Sequence, residues 1–207
     1  MNTALENKIE TTGAGESLNA LEVAGGLLLE LLEGVSTHAS KDRHFRNLNA
    51  VELEGGGGLF IARATDRYRL IEGEAKALEG SLDKALVSLE DTKRIIALLK
   101  GHKAHRIGLN RIGDTLTVSA LGDSLTVTLF SVTFPPTADL FKASEGEGKP
   151  IEGIAFNPVF FTDYAKIAGK GAAIKVYFTG EGKPMRVRIT SETIVWRALL
   201  MPMRYKD

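Results

Sequence analysis

The sequence predicts an α+β fold of repeated strand–helix–strand–strand–strand units, with the helices on one face of antiparallel sheets. Three observations carry this. Apolar residues at helical spacing form stripes that end at glycine, as Ile95, Ile96, Leu98 and Leu99 do before Gly101. Runs of alternating polarity follow such helices, as Leu116, Val118 and Ala120 alternate with threonine and serine. The same order occurs three times in 207 residues, with a period longer than that of a solenoid repeat.

In the first copy, residues 18–23 read as a strand and 25–38 as a leucine-rich helix. Residues 48–53, 59–64 and 67–72 read as strands, with 55–58 a hairpin tip. Four consecutive glycines suggest a phosphate cradle, but no helix follows and no Lys-Ser or Lys-Thr closes the motif. In the second copy, 85–87 is a strand and Ser88 N-caps a helix, with Asp91 placed to reciprocate. Strands follow at 106–110, 115–121 and 124–130, the last two joined by a turn at Gly122-Asp123. In the third copy, 151–156 is a strand and Asn157 caps a helix that has Pro158 at its first position. Gly169 and Gly171 end that helix. Residues 173–178, 185–189 and 193–200 complete the unit, with a turn at 180–184.

One such unit leaves a sheet face uncovered, whereas two cover each other. The expected organisation is therefore a polar, disordered tail at 1–16 and a complete two-unit domain at 17–139. A linker at 140–150, containing Glu145-Gly146-Glu147-Gly148, then leads to a half domain at 151–207.

Composition removes several function classes. With no cysteine, disulfide frameworks, thiol catalysis and cysteine–zinc sites are out. The 26 basic and 26 acidic residues cancel, so any nucleic-acid surface must come from local segregation of charge. The longest apolar run, 27–29, is broken by Glu30 and Glu33, so no membrane partner is expected. Residues 1–16 lack a cationic start followed by an apolar stretch, which excludes a signal peptide and places the chain in the cytoplasm. Enzyme readings fare badly. His102 and His105 have ligand spacing, but Gly101 has ended the helix and no carboxylate is fixed nearby, so they read as solvated loop histidines. Asp66, between arginines, reads as a turn cap. No metal, cofactor or catalytic residue is expected.

Four short motifs carry a resemblance. Ala64-Thr65-Asp66-Arg67-Tyr68-Arg69-Leu70 resembles the Ala-Thr-Asp-Gly-His-Arg-Leu signature of the bacterial DNA polymerase III beta subunit, the sliding clamp. Leu48-Asn49-Ala50 resembles the Leu-Asn-Gly before it, and Phe134-Pro135 the family's Phe-Pro-Asp step. Met201-Pro202-Met203-Arg204 is identical to the family's terminal Met-Pro-Met-Arg. The match runs in order from about 17 to 204. The family has three domains of two units each, closed into a dimeric ring on duplex DNA, whereas this chain resembles the middle domain and the second half of the last. Arg67 stands at the family's glycine, and arginine resists a left-handed turn, so a different local backbone is expected there.

The resemblance implies a DNA-clamp fold and a non-enzymatic processivity factor that tethers a DNA polymerase to duplex DNA. It implies a groove for partner peptides, walled by Leu48, Thr65, Arg67, Tyr68, Arg69 and Leu70. Pro135 and Leu140 would line the inter-domain step, and Leu199, Met201, Pro202, Met203 and Arg204 would close it. Arg69 and Arg204 would stand at the rim. The competing reading of these residues is simple packing of a junction. Sequence-independent DNA contact would fall to Lys41, Arg43, Lys93, Arg94, Lys100, Lys166 and Lys170, whose other reading is a solvated surface. The unpaired third unit implies a homo-oligomer. The alternative function is a peptide-binding adaptor or clamp inhibitor that does not encircle DNA.

Overall fold

The computed structural model describes residues 19–146, 151, 153–169 and 172–204. The first unit is β1 (Ala20–Ala24), α1 (Gly25–Ser36), β2 (Ala50–Gly56), β3 (Leu59–Thr65) and β4 (Arg69–Lys76). A short β5 (Glu79–Gly80) leads into the second unit, made of β6 (Leu82–Ser88), α2 (Leu89–Lys100), β7 (Arg106–Ile112), β8 (Thr115–Ala120) and β9 (Asp123–Thr128). Helix α3 (Thr137–Ala143) connects it to the third unit, made of α4 (Val159–Ala168), β10 (Ile174–Tyr177), β11 (Met185–Thr190) and β12 (Ile194–Leu200).

The mixed α+β architecture and all three helix–strand–strand–strand successions match the reading of the sequence. Three features differ. Among the described residues of 151–156, the expected strand is reduced to a single bridge from Ala155 to Met203. β5 was not foreseen. Nor was α3, which runs across position 140, so the connecting stretch 140–150 begins as helix. The expected tail at 1–16 lies outside the described residues.

Two sheets result, one in the order β5-β1-β7-β8-β9 and one in the order β10-β11-β12-β4-β3-β2-β6. The first two units exchange their leading strands: β1 pairs with β7, and β6 pairs with β2. The third unit instead joins the first end to end, β12 lying antiparallel to β4. Alternation then puts Leu21, Val23, Ile107, Leu109, Val51, Leu53 and Val87 in one core with α1 and α2. Ser88 caps α2 as expected, its Oγ accepting from the Asp91 N–H at 2.9 Å. Helix α1 has no side-chain cap. The carbonyls of His105 and Lys103 accept from the Gly25 and Gly26 N–H groups at 2.9 and 2.8 Å. The expected solvated histidines are thus part of a structural loop, and His102 Nε2 lies 2.9 Å from Asp123 Oδ2.

The junction of the first and third units rests on Trp196, a large, fully buried side chain. It lies opposite Gly73 across the β12–β4 pair and under Gly34 of α1. A Cβ at Gly34 would sit 2.4 Å from the indole, and one at Gly73 would sit 2.6 Å from it and 2.5 Å from Leu31. Both glycines are thus required by close approach. On the outer face of the same sheet, Glu52, Arg63, Glu72 and Arg197 stand in one cross-strand row. Arg63 bonds Glu52, Glu54 and Glu72 at 3.0, 2.7 and 2.6 Å, and Arg197 bonds Glu72. Glu72 is buried, so it depends on both arginines.

Gly34→Ala is expected to lower stability by about 1–3 kcal/mol through overpacking, and Trp196→Ala by about 3–5 kcal/mol through the cavity it leaves. Urea unfolding measures both. Wild-type stability in Gly34→Ala would show that the ring has room to shift.

Candidate functional site

The β3–β4 turn carries the signature residues. Asp66 Oδ1 accepts from the N–H groups of Tyr68 and Arg69 at 3.0 Å each, the turn-capping role read from the sequence. Thr65 Oγ1 donates to the Arg69 carbonyl at 2.8 Å and accepts from the Arg67 N–H at 3.3 Å. Arg67 adopts φ 79°, the left-handed conformation that arginine was expected to resist. The Asp66 and Thr65 hydrogen bonds hold it there, and its guanidinium stacks 4.1 Å from the Phe45 ring centroid. A non-glycine residue kept in this region stores strain.

Beyond the turn, Leu70 lies opposite Leu199 across β4 and β12, both buried. Phe141 of α3 covers them and forms a separate apolar cluster with the pair. Leu140, expected in the groove, is 49% exposed, whereas its neighbour Phe141 is 4% exposed. Strand pairing continues past Leu200: the Met201 N–H donates to the Tyr68 carbonyl at 2.8 Å, and the Met203 N–H to the Ala155 carbonyl at 2.8 Å. Tyr68 and Met201 therefore stand next to each other, both exposed, beside the Leu70–Leu199 pair. Met201, Pro202, Met203 and Arg204 form one wall of a cavity of about 460 Å³ whose other walls are 153–155 and 181–182. Leu48 is buried in the loop after α1, its N–H bonded to the Phe45 carbonyl, and Pro135 is half-buried.

Arg69 does not stand at the rim. Its guanidinium is turned inward, giving 2.6 Å bonds to Asp163 Oδ2 on α4 and to the Thr37 carbonyl at the end of α1, and it lies 4.4 Å over Phe160. Beside it, His38 is fully buried against Tyr164, ring centroids 5.4 Å apart, and Thr37 Oγ1 lies 2.8 Å from its Nδ1. Burial, and secondarily the Arg69 charge, hold His38 at a pKa of about 3. Burial opposes ionisation of Asp163, but the hydrogen bond and charge of Arg69 outweigh it and keep the carboxyl below its ordinary range. Phe45, Phe141, Asp163 and His38 were not singled out in the sequence. Adjacency to a motif residue is a signal for Phe141, while Asp163 carries none because its partner is remote along the chain.

The described residues among those expected to contact DNA lie on the helix side, where α2 and α4 both contact α1, and in the loop after α1. Four are engaged with carboxylates: Arg43 with Glu90 at 3.4 Å, Arg94 with Asp91 at 2.7 Å, Lys100 with Glu33 at 3.7 Å and Lys166 with Asp163 at 3.3 Å. Lys41 and Lys93 are exposed and have no ion pair among the described residues. Lys170 lies outside the described residues. Among the described residues, no group of three or more His, Asp or Glu is placed to hold a metal, and no helix is long and apolar enough to cross a membrane.

No family model and no curated protein matches this sequence. Solved structures do. The DNA polymerase III beta subunit of Thermotoga maritima is 21% identical with a TM-score of 0.77, over 97% of this chain and 69% of that one. The sliding clamp of Bacillus subtilis is 19% identical with a TM-score of 0.74, over 96% and 68%. A Pseudomonas aeruginosa clamp bound to griselimycin is 16% identical with a TM-score of 0.74, over 96% and 69%. The chain has the fold of these sliding clamps and is shorter than they are.

His38 makes the junction pH-dependent. Its folded pKa lies below the unfolded value of 6.5, so the unfolded chain binds the extra proton and stability falls as pH drops from about 6.5 toward 3. Between pH 7.5 and 5.5 the loss is about 1.4 kcal/mol, and His38→Leu should flatten that part of the curve. Denaturant melts at the two pH values measure it; an equal slope in the variant would assign the dependence elsewhere.

Proposed function

We propose that this chain is a clamp-like processivity factor that binds short partner peptides at the junction of its first and third units. The reading rests above all on Tyr68 and Met201. Two large apolar side chains, remote in sequence, stand exposed together beside the buried Leu70–Leu199 pair, on a fold shared with sliding clamps. Exposed apolar surface around a fixed backbone is what a peptide with leucine or phenylalanine anchors recognises. Arg67 and Arg204, both exposed, supply charge at the margin in place of the inward-facing Arg69. The partners are proteins carrying such a peptide, a DNA polymerase among them, with duplex DNA as the track. The site needs no cofactor and performs no reaction, and the reading places the protein in the cytoplasm.

One observation favours the second reading, a peptide-binding adaptor or clamp inhibitor that does not encircle DNA. Of the residues expected on phosphate, Arg43, Arg94, Lys100 and Lys166 already face carboxylates, which weakens their pull on a polyanion. The two readings share the groove and differ in DNA.

A labelled peptide with a glutamine followed by leucine and phenylalanine should bind with micromolar affinity, about −8 kcal/mol. Met201→Ala and Leu140→Ala should each weaken it by about 1–2 kcal/mol in fluorescence anisotropy. Unchanged affinity in both would mean that the exposed residues are not the binding surface.

Retention on circular duplex DNA should be independent of sequence and fall steeply with salt. Reversing Lys41 and Lys93 to glutamate should abolish it without lowering thermal stability. No retention by the wild type at low salt would select the adaptor reading.

A further inference from the structure

The third unit has two open edges that the chain's own first two units show how to close. In the first unit, the leading strand β1 is held on one side by β5, which follows β4 of the same unit: Leu21 pairs with Gly80 and Glu22 with Glu79. On its other side it pairs with β7 of the second unit, and the second unit returns the exchange by pairing β6 with β2. Each exchange sets apolar residues opposite apolar ones, Leu21 with Leu109, Val23 with Ile107, and Val51 with Val87.

The third unit reproduces only half of this. Ala155 is bridged by Met203, which follows β12 as β5 follows β4. Among the described residues, nothing pairs with the other side of 153–156. β10, which corresponds to β7 and β2, is the terminal strand of its sheet. Its helix-side residues Ile174 and Val176 lie opposite the buried Ile189 and Val187, yet are 37% and 43% exposed. On α4, Val159 is 63% exposed and Phe161 41%. An open strand edge beside exposed apolar residues is a surface that proteins cover.

We propose that a second copy of this chain covers it, through a two-fold contact in which the segment 153–156 of each copy pairs antiparallel with β10 of the other. A second copy is the occupant that fits, because each third unit offers both a leading segment and a receiving strand. One symmetric contact therefore closes four edges at once. The exchange already made between the first two units supplies the pattern. The register that keeps the apolar sides together places Ile154 opposite Val176 and Phe156 opposite Ile174. Phe156 already points to that side, its ring 6.0 Å from Phe161 and 6.3 Å from Phe178. The contact leaves out Tyr68 and Met201, on which the peptide reading rests, although Ile154 also lines the cavity beside Met201.

The full chain has no cysteine, so cross-linking reports single positions. Sedimentation at tens of micromolar should give a dimer. Ile174→Glu with Val176→Glu should weaken it by tenfold or more, with the circular dichroism spectrum unchanged. Oxidation of Ile154→Cys/Val176→Cys should give a covalent dimer. Ile154→Cys/Lys175→Cys, whose second thiol is on the opposite face, should not. A monomeric wild type, or equal cross-linking by both pairs, overturns the proposal. Peptide anisotropy on the same samples separates the two claims: a monomer that binds peptide overturns only the pairing, and a dimer that fails to bind overturns only the groove.

Discussion

Trp196 sits between two positions that cannot carry a side chain. Its ring occupies the space that a Cβ on Gly34 or Gly73 would need, so helix α1 and strand β4 close on it from two directions. This contact fixes how far β12 lies from α1, and with it the whole placement of the third unit. The β12–β4 ladder sets register along the strands, but a ladder alone permits sliding and twist. The indole removes that freedom, because a close-packed ring has no second position of comparable density.

Register matters because the candidate groove is an extension of the same ladder. Leu199 faces Leu70, and one step further the Met201 N–H reaches the Tyr68 carbonyl. A slip of one residue would turn both Leu199 and Arg197 from the outer face to the helix side, away from Phe141 and Glu72. Arg69 adds a second tie, from the turn to α4 and to the end of α1. That use of its guanidinium is costly to desolvate and is repaid by two short bonds and an aromatic face. The turn is consequently held from beneath, which lets Arg67 remain at positive φ on a motif position where glycine would be at ease.

The helices and most strands were legible because each buries one face, and burial writes a period into the sequence. Ile95, Ile96 and Leu99 on α2, and Leu116 and Val118 on β8, are such cases. What was not legible depended on partners rather than pattern. The apolar segment 151–156 has strand composition, but a strand exists only where an edge receives it, and here one bridge to Met203 is formed. β5 is two residues long and has no period to show. At the site, strand pairing brings two of the four motifs, 64–70 and 201–204, side by side, while Ala50 and Phe134 of the other two pack together in a separate cluster with Leu86. The motifs did not tell whether Leu140 or Phe141 turns inward, because that is decided by the rotation of the seven-residue α3. Nor did they show that Arg69 faces α4, since Asp163 lies 94 residues away.

The charge on the helix side bears on how any tethering would work. An exposed ion pair is worth little on its own, but its carboxylate competes with phosphate for the same cation. With Arg94, Lys100 and Lys166 so engaged, and with Glu30 and Glu33 on α1 between them, one chain offers DNA few uncommitted charges. Strong contact by a single copy is then not a workable means of staying on a duplex. Copies held side by side would add their weak contacts through proximity, and a closed arrangement would need almost none, since it is held by topology rather than affinity. For a chain that tethers as proposed, the open edges of the third unit and the modest charge of the helices are for this reason one problem: what the surface lacks in attraction would have to come from how copies join.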